Sequence, residues 1–104
     1  CAPNNGAIPT LEDDDVVEIT CDITPDGRCT PHRFALEDIP AGNLELIRRV
    51  KYYERLAARG IVNRSKADIV ECLTMHPLVN SYSIACDLAD KYIELNAPYI
   101  DGWK

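Results

Sequence analysis

The side chains that could do chemistry are five thiols, two imidazoles and a surplus of carboxylates: Cys1, Cys21, Cys29, Cys72 and Cys86, His32 and His76, and seventeen Asp and Glu. A nucleophile needs a base beside it and a third group to orient that base. Cys72 or Cys86 with His76 is the pairing that comes closest, but His76 stands directly before Pro77, where a helix must end, and no flanking motif supplies an orienting partner. Structural zinc takes ligands in pairs such as Cys-x-x-Cys, and no such pair occurs. The run Glu12-Asp13-Asp14-Asp15 lacks the alternating oxygens and central glycine of a calcium loop and reads as a solvated, self-repelling stretch. Asp87 and Asp90 read as the solvent face of a helix. These residues predict no catalytic group, no metal and no cofactor, and so a chain that is not an enzyme.

The cysteines suggest a different use. Five of them in 104 residues, with aromatics at only 7%, point to a thin core stapled by disulfides in an oxidising compartment, hence a secreted, extracellular protein. No leader precedes Cys1, so a secreted chain would be the mature form. Cys21, Cys29, Cys72 and Cys86 are expected to form two intrachain bridges, and four cysteines allow three pairings. In a tight helical hairpin turning at Pro77, Cys72 and Cys86 would be offset by roughly 6 Å along the axis, which favours joining each of them to Cys21 or Cys29. Cys1 is then left over for an interchain bond, and a symmetric disulfide-linked homodimer is the simplest partner arrangement. Asn63-Arg64-Ser65 is an Asn-x-Ser acceptor at which Asn63 could carry a glycan, although Ser65 already has a role as a helix cap.

The elements that must position these residues are mainly helical. Asn43 can cap a first helix whose apolar face carries Leu46, Val50, Tyr53 and Ala57, and Gly60 reads as its stop. Ser65 with Asp68 three residues on starts a second helix that Pro77 ends. A third runs from about Val79 to Leu95, with Leu78, Tyr82, Ala85, Ala89 and Tyr92 on one face. Residues 1–30 are poor in large apolar side chains and read as an acidic extended arm. Val16–Thr20 could form a short strand, and Thr24-Pro25-Asp26-Gly27 is a strong turn signal. The expected fold class is all-α: one domain over 1–104, with a helical core at 43–96, three main helices, an extended N-terminal arm and room for one short hairpin.

Charge narrows the function. Residues 1–30 carry seven acids against one base, residues 31–64 four against seven, and residues 65–104 six against three, giving −6, +3 and −3. Such a chain is a poor ligand for nucleic acid or anionic membranes, and no apolar run is long enough to span a bilayer. The basic stripe Arg48, Lys51, Arg55 and Arg59, with Tyr52 among them, is the expected partner-facing surface, with balance of the acidic arm as the competing role. The reading is a secreted, non-enzymatic interaction protein, a toxin, pheromone or effector-like ligand that binds a protein receptor or target. The alternative is a secreted carrier of a small hydrophobic ligand, disfavoured because so small a core leaves little room for a cavity.

Overall fold

The computed structural model describes residues 1–103; Lys104 lies outside the described residues. The chain falls into two compact units, residues 1–44 and residues 45 onward.

The first unit holds two small antiparallel sheets. β1 (Ala2–Pro3) pairs with β2 (Val16–Val17), and β3 (Cys21–Ile23) pairs with β4 (Cys29–Pro31). The second pair is closed by the Thr24–Arg28 turn, in which the Thr24 N–H donates to the Arg28 carbonyl at 3.0 Å and the Gly27 N–H to the Thr24 carbonyl at 2.8 Å. Asn4 organises the segment between β1 and β2. It is fully buried, its amide donates to the carbonyls of Ile8 (3.2 Å) and Leu11 (3.4 Å), and its Oδ1 accepts the Ile8 N–H at 2.8 Å. Those three bonds hold a turn in which Asn5 and Gly6 take φ of 43° and 75°, a region that Asn and Gly tolerate best. Ile8, Val17 and Leu44 form the core of this unit, with Leu11, Ile19 and Ile39 packed on it.

The second unit is helical. α1 (Ala41–Asn63) enters it at Glu45 and is followed by α2 (Lys66–Met75) and α3 (Tyr82–Asn96). Ser65 caps α2, its side chain accepting the Asp68 N–H, and Ser81 caps α3 by accepting the Ile84 N–H. Val70, Ala85 and Ala89 are buried together, with Ile69, Leu73, Val79 and Cys86 against them. Ala85 and Ala89 bring the α3 backbone close to α2 because neither has more than a methyl group to interpose.

Several expectations are corrected here. The all-α class is overturned: the fold is of the alpha/beta type, with sheets as well as helices. The arm of residues 1–30 is held by two short ladders instead of being simply extended; the pairing of β1 with β2 is not legible in the sequence, because that ladder is only two residues long and its organising side chain, Asn4, is polar. Gly60 does not stop α1; it lies inside the helix, and the left-handed residue at the boundary is Arg64, φ 53°. α3 begins at Tyr82 instead of Val79, since Asn80 at φ 46° breaks the chain before the Ser81 cap. Ala85 and Ala89 are buried as expected for their face, but Leu78, Tyr82 and Tyr92 are 89%, 69% and 53% exposed.

The disulfide framework is also overturned, because Cys1, Cys21, Cys29, Cys72 and Cys86 are all free thiols. In the helical unit the reason is direction: Cys72 is buried near Tyr53 of α1, whereas Cys86 lines a groove between α2 and α3 to which Cys72 does not contribute.

Candidate functional site

The stripe expected to face a partner is largely engaged within its own unit. Arg48 pairs with Glu45 at 3.0 Å and Lys51 with Glu54 at 2.6 Å, each three residues along α1. Arg59 reaches from α1 to α2, where its Nη2 lies 2.7 Å from Asp68 Oδ1 and 3.8 Å from Glu71 Oε2. The Tyr52 hydroxyl donates to Glu71 Oε1 at 2.9 Å. Arg55 is not free either. The hydrogen bond to Asp68 raises the Arg59 pKa, and the same bond holds the Asp68 carboxyl below its ordinary range. The bond to Glu71, together with that carboxylate's charge, raises the Tyr52 phenol. Asn63 ends α1 and is exposed.

Beside this seam lies an open groove of about 560 Å³ between α2 and α3, lined by Lys66, Val70, Thr74, Met75, Tyr82 and Cys86 among others. Its polar groups are largely committed: the Lys66 ammonium is paired with the Asp90 carboxylate, and the Thr74 hydroxyl donates to the Val70 carbonyl at 2.8 Å. What remains exposed is mostly apolar, a surface suited to packing.

Two further residues matter that composition and periodicity do not single out. Arg49 crosses from α1 to the end of α2, its Nε donating to the Met75 carbonyl at 2.7 Å and its Nη2 to Asn80 Oδ1 at 2.5 Å. Below it Tyr53 meets the His76 ring edge to face, centroids 4.6 Å apart. The imidazole thus packs against a tyrosine, and His76 Nδ1 accepts the Leu78 N–H at 3.2 Å. The other residue is Asn4, whose signal was the run Asn4-Asn5-Gly6-Ala7-Ile8, readable as a turn but not as a buried one. Among the described residues no three His, Cys, Asp or Glu side chains converge as metal ligands would.

Residues 1–79 match the family 4 glycosyl hydrolase C-terminal domain, which is most of the chain. The chain belongs to that family. Within 97 aligned residues the domain is 33% identical to a probable 6-phospho-beta-glucosidase of Bacillus subtilis and 36% identical to the 6-phospho-beta-glucosidase BglT of Thermotoga maritima, covering 93% of this chain in each case. A maltose-6'-phosphate glucosidase of Clostridium acetobutylicum is 27% identical over the same length. Two solved 6-phospho-alpha-glucosidases from gut microorganisms, one in complex with NAD and Mn2+ and one with NAD and glucose-6-phosphate, superpose on 99% of the chain with TM-scores of 0.86 and 0.85 at 26% and 33% identity. The family 4 domain spans 21% to 23% of the length of these relatives.

These findings correct the functional expectations together. A toxin, pheromone or effector-like ligand, a secreted carrier, and a non-enzymatic chain are all overturned, because the matched family is one of glycosyl hydrolases and the relatives act on sugar phosphates. The protein receptor and the disulfide-linked homodimer fall with them: nothing in the relatives points to a receptor, and Cys1 is a free thiol. The secreted, extracellular location loses its basis too, since it rested on disulfides and the relatives are phosphoglucosidases. Cysteine count misled because free, partly buried thiols and oxidised pairs look alike in composition.

Proposed function

We propose that this chain serves as the C-terminal domain of a glycosidase that hydrolyses a 6-phosphoglucoside. The observation that carries the reading is the agreement of two independent likenesses: the family match over residues 1–79, and the superposition of 99% of the chain on a segment of 6-phospho-alpha-glucosidases. Both anomeric classes occur among the relatives, so the reading extends to the sugar phosphate and not to the configuration of the bond cleaved.

The dinucleotide and the cation named with the solved relatives do not fit this domain alone. No triad of metal-ligating side chains converges among the described residues, and the five glycines nowhere form a Gly-x-Gly-x-x-Gly turn. In this reading both belong to the part of such an enzyme that the present segment does not match, and the domain's contribution is its shape: the turn built on Asn4, and the α1–α2 seam of Tyr52, Arg59, Asp68 and Glu71. We assign Arg48, Lys51, Tyr52, Arg55 and Arg59 to that seam and its flanks instead of to an external partner.

Exchange of the matched segment tests the reading. The Bacillus subtilis relative carrying this chain in place of its own 97 aligned residues should fold and hydrolyse p-nitrophenyl 6-phospho-β-glucoside in the presence of NAD and Mn2+. A folded hybrid with no hydrolysis of either anomer would refute it.

A further inference from the structure

Cys21 and Cys29 form a dithiol that neither the family likeness nor the helical seam uses. The register pairs Cys21 with Pro31, Asp22 with Thr30 and Ile23 with Cys29. Side chains alternate between faces along a strand, so Cys21, Ile23, Cys29 and Pro31 share one face, and the two cysteines are diagonal neighbours on it. Asp22, Thr30 and His32 fall on the other face, where His32 Nε2 lies 3.1 Å from Asp22 Oδ1. The Cys21 thiol donates to the Ile19 carbonyl at 3.5 Å and lies within interaction range of the Cys29 side chain, and both sulfurs are reduced. Cys29 is exposed and Cys21 half-buried, so the pair is open to small ions.

The diagonal geometry decides what this pair can do. Diagonal cross-strand residues stand roughly 7 to 8 Å apart at Cα, beyond the usual reach of a disulfide, which needs about 4.4 to 6.8 Å. A metal bridging two thiolates instead separates the sulfurs by twice a metal–sulfur bond of about 2.3 Å, a wider span that side chains on diagonal positions of one face can meet. Divalent zinc or calcium would demand more ligands than this face offers, since no third His, Cys, Asp or Glu joins the pair among the described residues. A soft monovalent ion is satisfied by thiolate ligands alone.

We propose that Cys21 and Cys29 form a two-coordinate site for a soft, thiophilic monovalent ion, of which Cu(I) is the probe. Binding forms two metal–sulfur bonds and releases two protons to the buffer, with no change in oxidation state, leaving a bis-thiolate complex of charge −1. The protons displaced are those of the thiol pair, in which the Cys29 side chain first, then burial, raises the Cys21 pKa above its ordinary value. The ion therefore competes with protons, and its affinity falls as pH is lowered.

The test uses the reduced chain with Cys1, Cys72 and Cys86 changed to serine, titrated anaerobically with Cu(I) against a bicinchoninate competitor. One ion should bind per chain, two protons should be released per ion, and apparent affinity should fall about 100-fold for each unit of pH below the thiol range. Adding Cys21→Ser or Cys29→Ser should weaken binding at least 100-fold. Equal binding by either of those variants, or uptake without two-proton release, overturns the site. Circular dichroism of the serine variants confirms that the fold is retained. Should the triple-serine background fail to fold, the same comparison is made by adding Cys21→Ser or Cys29→Ser singly to the native chain, where loss of one equivalent carries the same meaning and no loss overturns it.

Discussion

A Cβ placed on Gly60 would stand 2.8 Å from the Ile69 Cδ1 and 3.2 Å from the Asp68 Cβ. Gly60 is therefore a point at which the α1 backbone approaches α2 closely, and its missing side chain leaves room for Ile69 and Asp68 there. Helix propensity alone would favour alanine in a helix interior by roughly 1 kcal/mol. Overpacking a close contact costs about 1 to 3 kcal/mol, and here the steric cost should exceed the propensity gain because Asp68 Cβ is fixed to the α2 backbone. Gly60→Ala should lower the urea midpoint, and adding Ile69→Val, which removes the atom nearest the clash, should restore part of the loss. A Gly60→Ala variant as stable as the parent would show that the helices separate freely.

Asn4 makes a different kind of prediction, since its worth lies in three hydrogen bonds within a dry turn. Asn4→Asp keeps the shape and the acceptor but sets a carboxyl against the carbonyls of Ile8 and Leu11. The Ile8 N–H still donates to one oxygen, but burial and the two facing carbonyls raise the carboxyl pKa, so the variant is penalised most when ionised. At pH 7 the expected loss is at least about 2 kcal/mol, and the gap to the parent should narrow as pH falls and the carboxyl takes up its proton. Denaturant melts at pH 7 and pH 5 compare the two; a gap that widens on acidification contradicts the assignment.

What a few adjacent residues decide among themselves can be read in their order. Ser65 and Asp68 announce the α2 cap, and Ala85 and Ala89 announce a buried face, because cap and periodicity are local. What a distant residue decides cannot be read in this way. Gly60 looks like a helix stop until Ile69 is beside it, and Asn4 looks like loop until its amide meets the carbonyls of Ile8 and Leu11. Clustering of the basic stripe on one helix face likewise says nothing of the carboxylates that α2 brings to Arg59 and Tyr52. The cysteines misled for a similar reason: counting them fixes neither their directions nor their partners. Val16–Thr20 and the Thr24–Gly27 turn are legible as a strand and a hairpin, whereas β1 is not, since a two-residue ladder has too few side chains to alternate.

Arg49 should be worth more than its half-exposed position suggests. It holds the Met75 carbonyl, one of the last acceptors of α2, and the side chain of left-handed Asn80 in the turn before α3. Arg49→Met retains the aliphatic stem and removes both bonds, and the expected cost is about 1 to 3 kcal/mol. Asn80→Gly accepts the positive φ and removes only its own bond, so the two changes together should cost less than their sum by about 0.5 kcal/mol or more. Strict additivity in a double-mutant cycle would separate the two residues.

The five thiols offer a direct chemical check. Because none is bridged, intact mass should be the same with and without reductant, and five equivalents of maleimide should label the chain in denaturant. In the native state Cys72 should be the slowest, because burial raises its pKa and denies it the thiolate form, while exposed Cys1 and Cys29 should react first. A mass two units lower that is restored by reduction would reveal a bridge and contradict the free-thiol assignment.

The Arg59–Asp68 bond predicts a pH dependence with a definite sign. Asp68 titrates below its ordinary range, chiefly because Arg59 donates to it, then through the Arg59 charge and last through the Ser65 side chain, with burial opposing them. A carboxyl whose folded pKa is depressed contributes stability that is fully present above the unfolded value of about 4 and is lost as pH falls through the folded value. Arg59→Met removes the main cause, so the Asp68 pKa should move back up towards the ordinary range. The difference in thermal midpoint between parent and variant should then be constant from pH 7 to about pH 5, and should shrink steadily as pH falls below that. Salt should reduce it only in part, since Asp68 is mostly covered while Arg59 is half exposed. A difference that stays constant to the lowest pH at which the chain folds would mean that Arg59 stabilises the seam by packing its stem and not through the charge on Asp68.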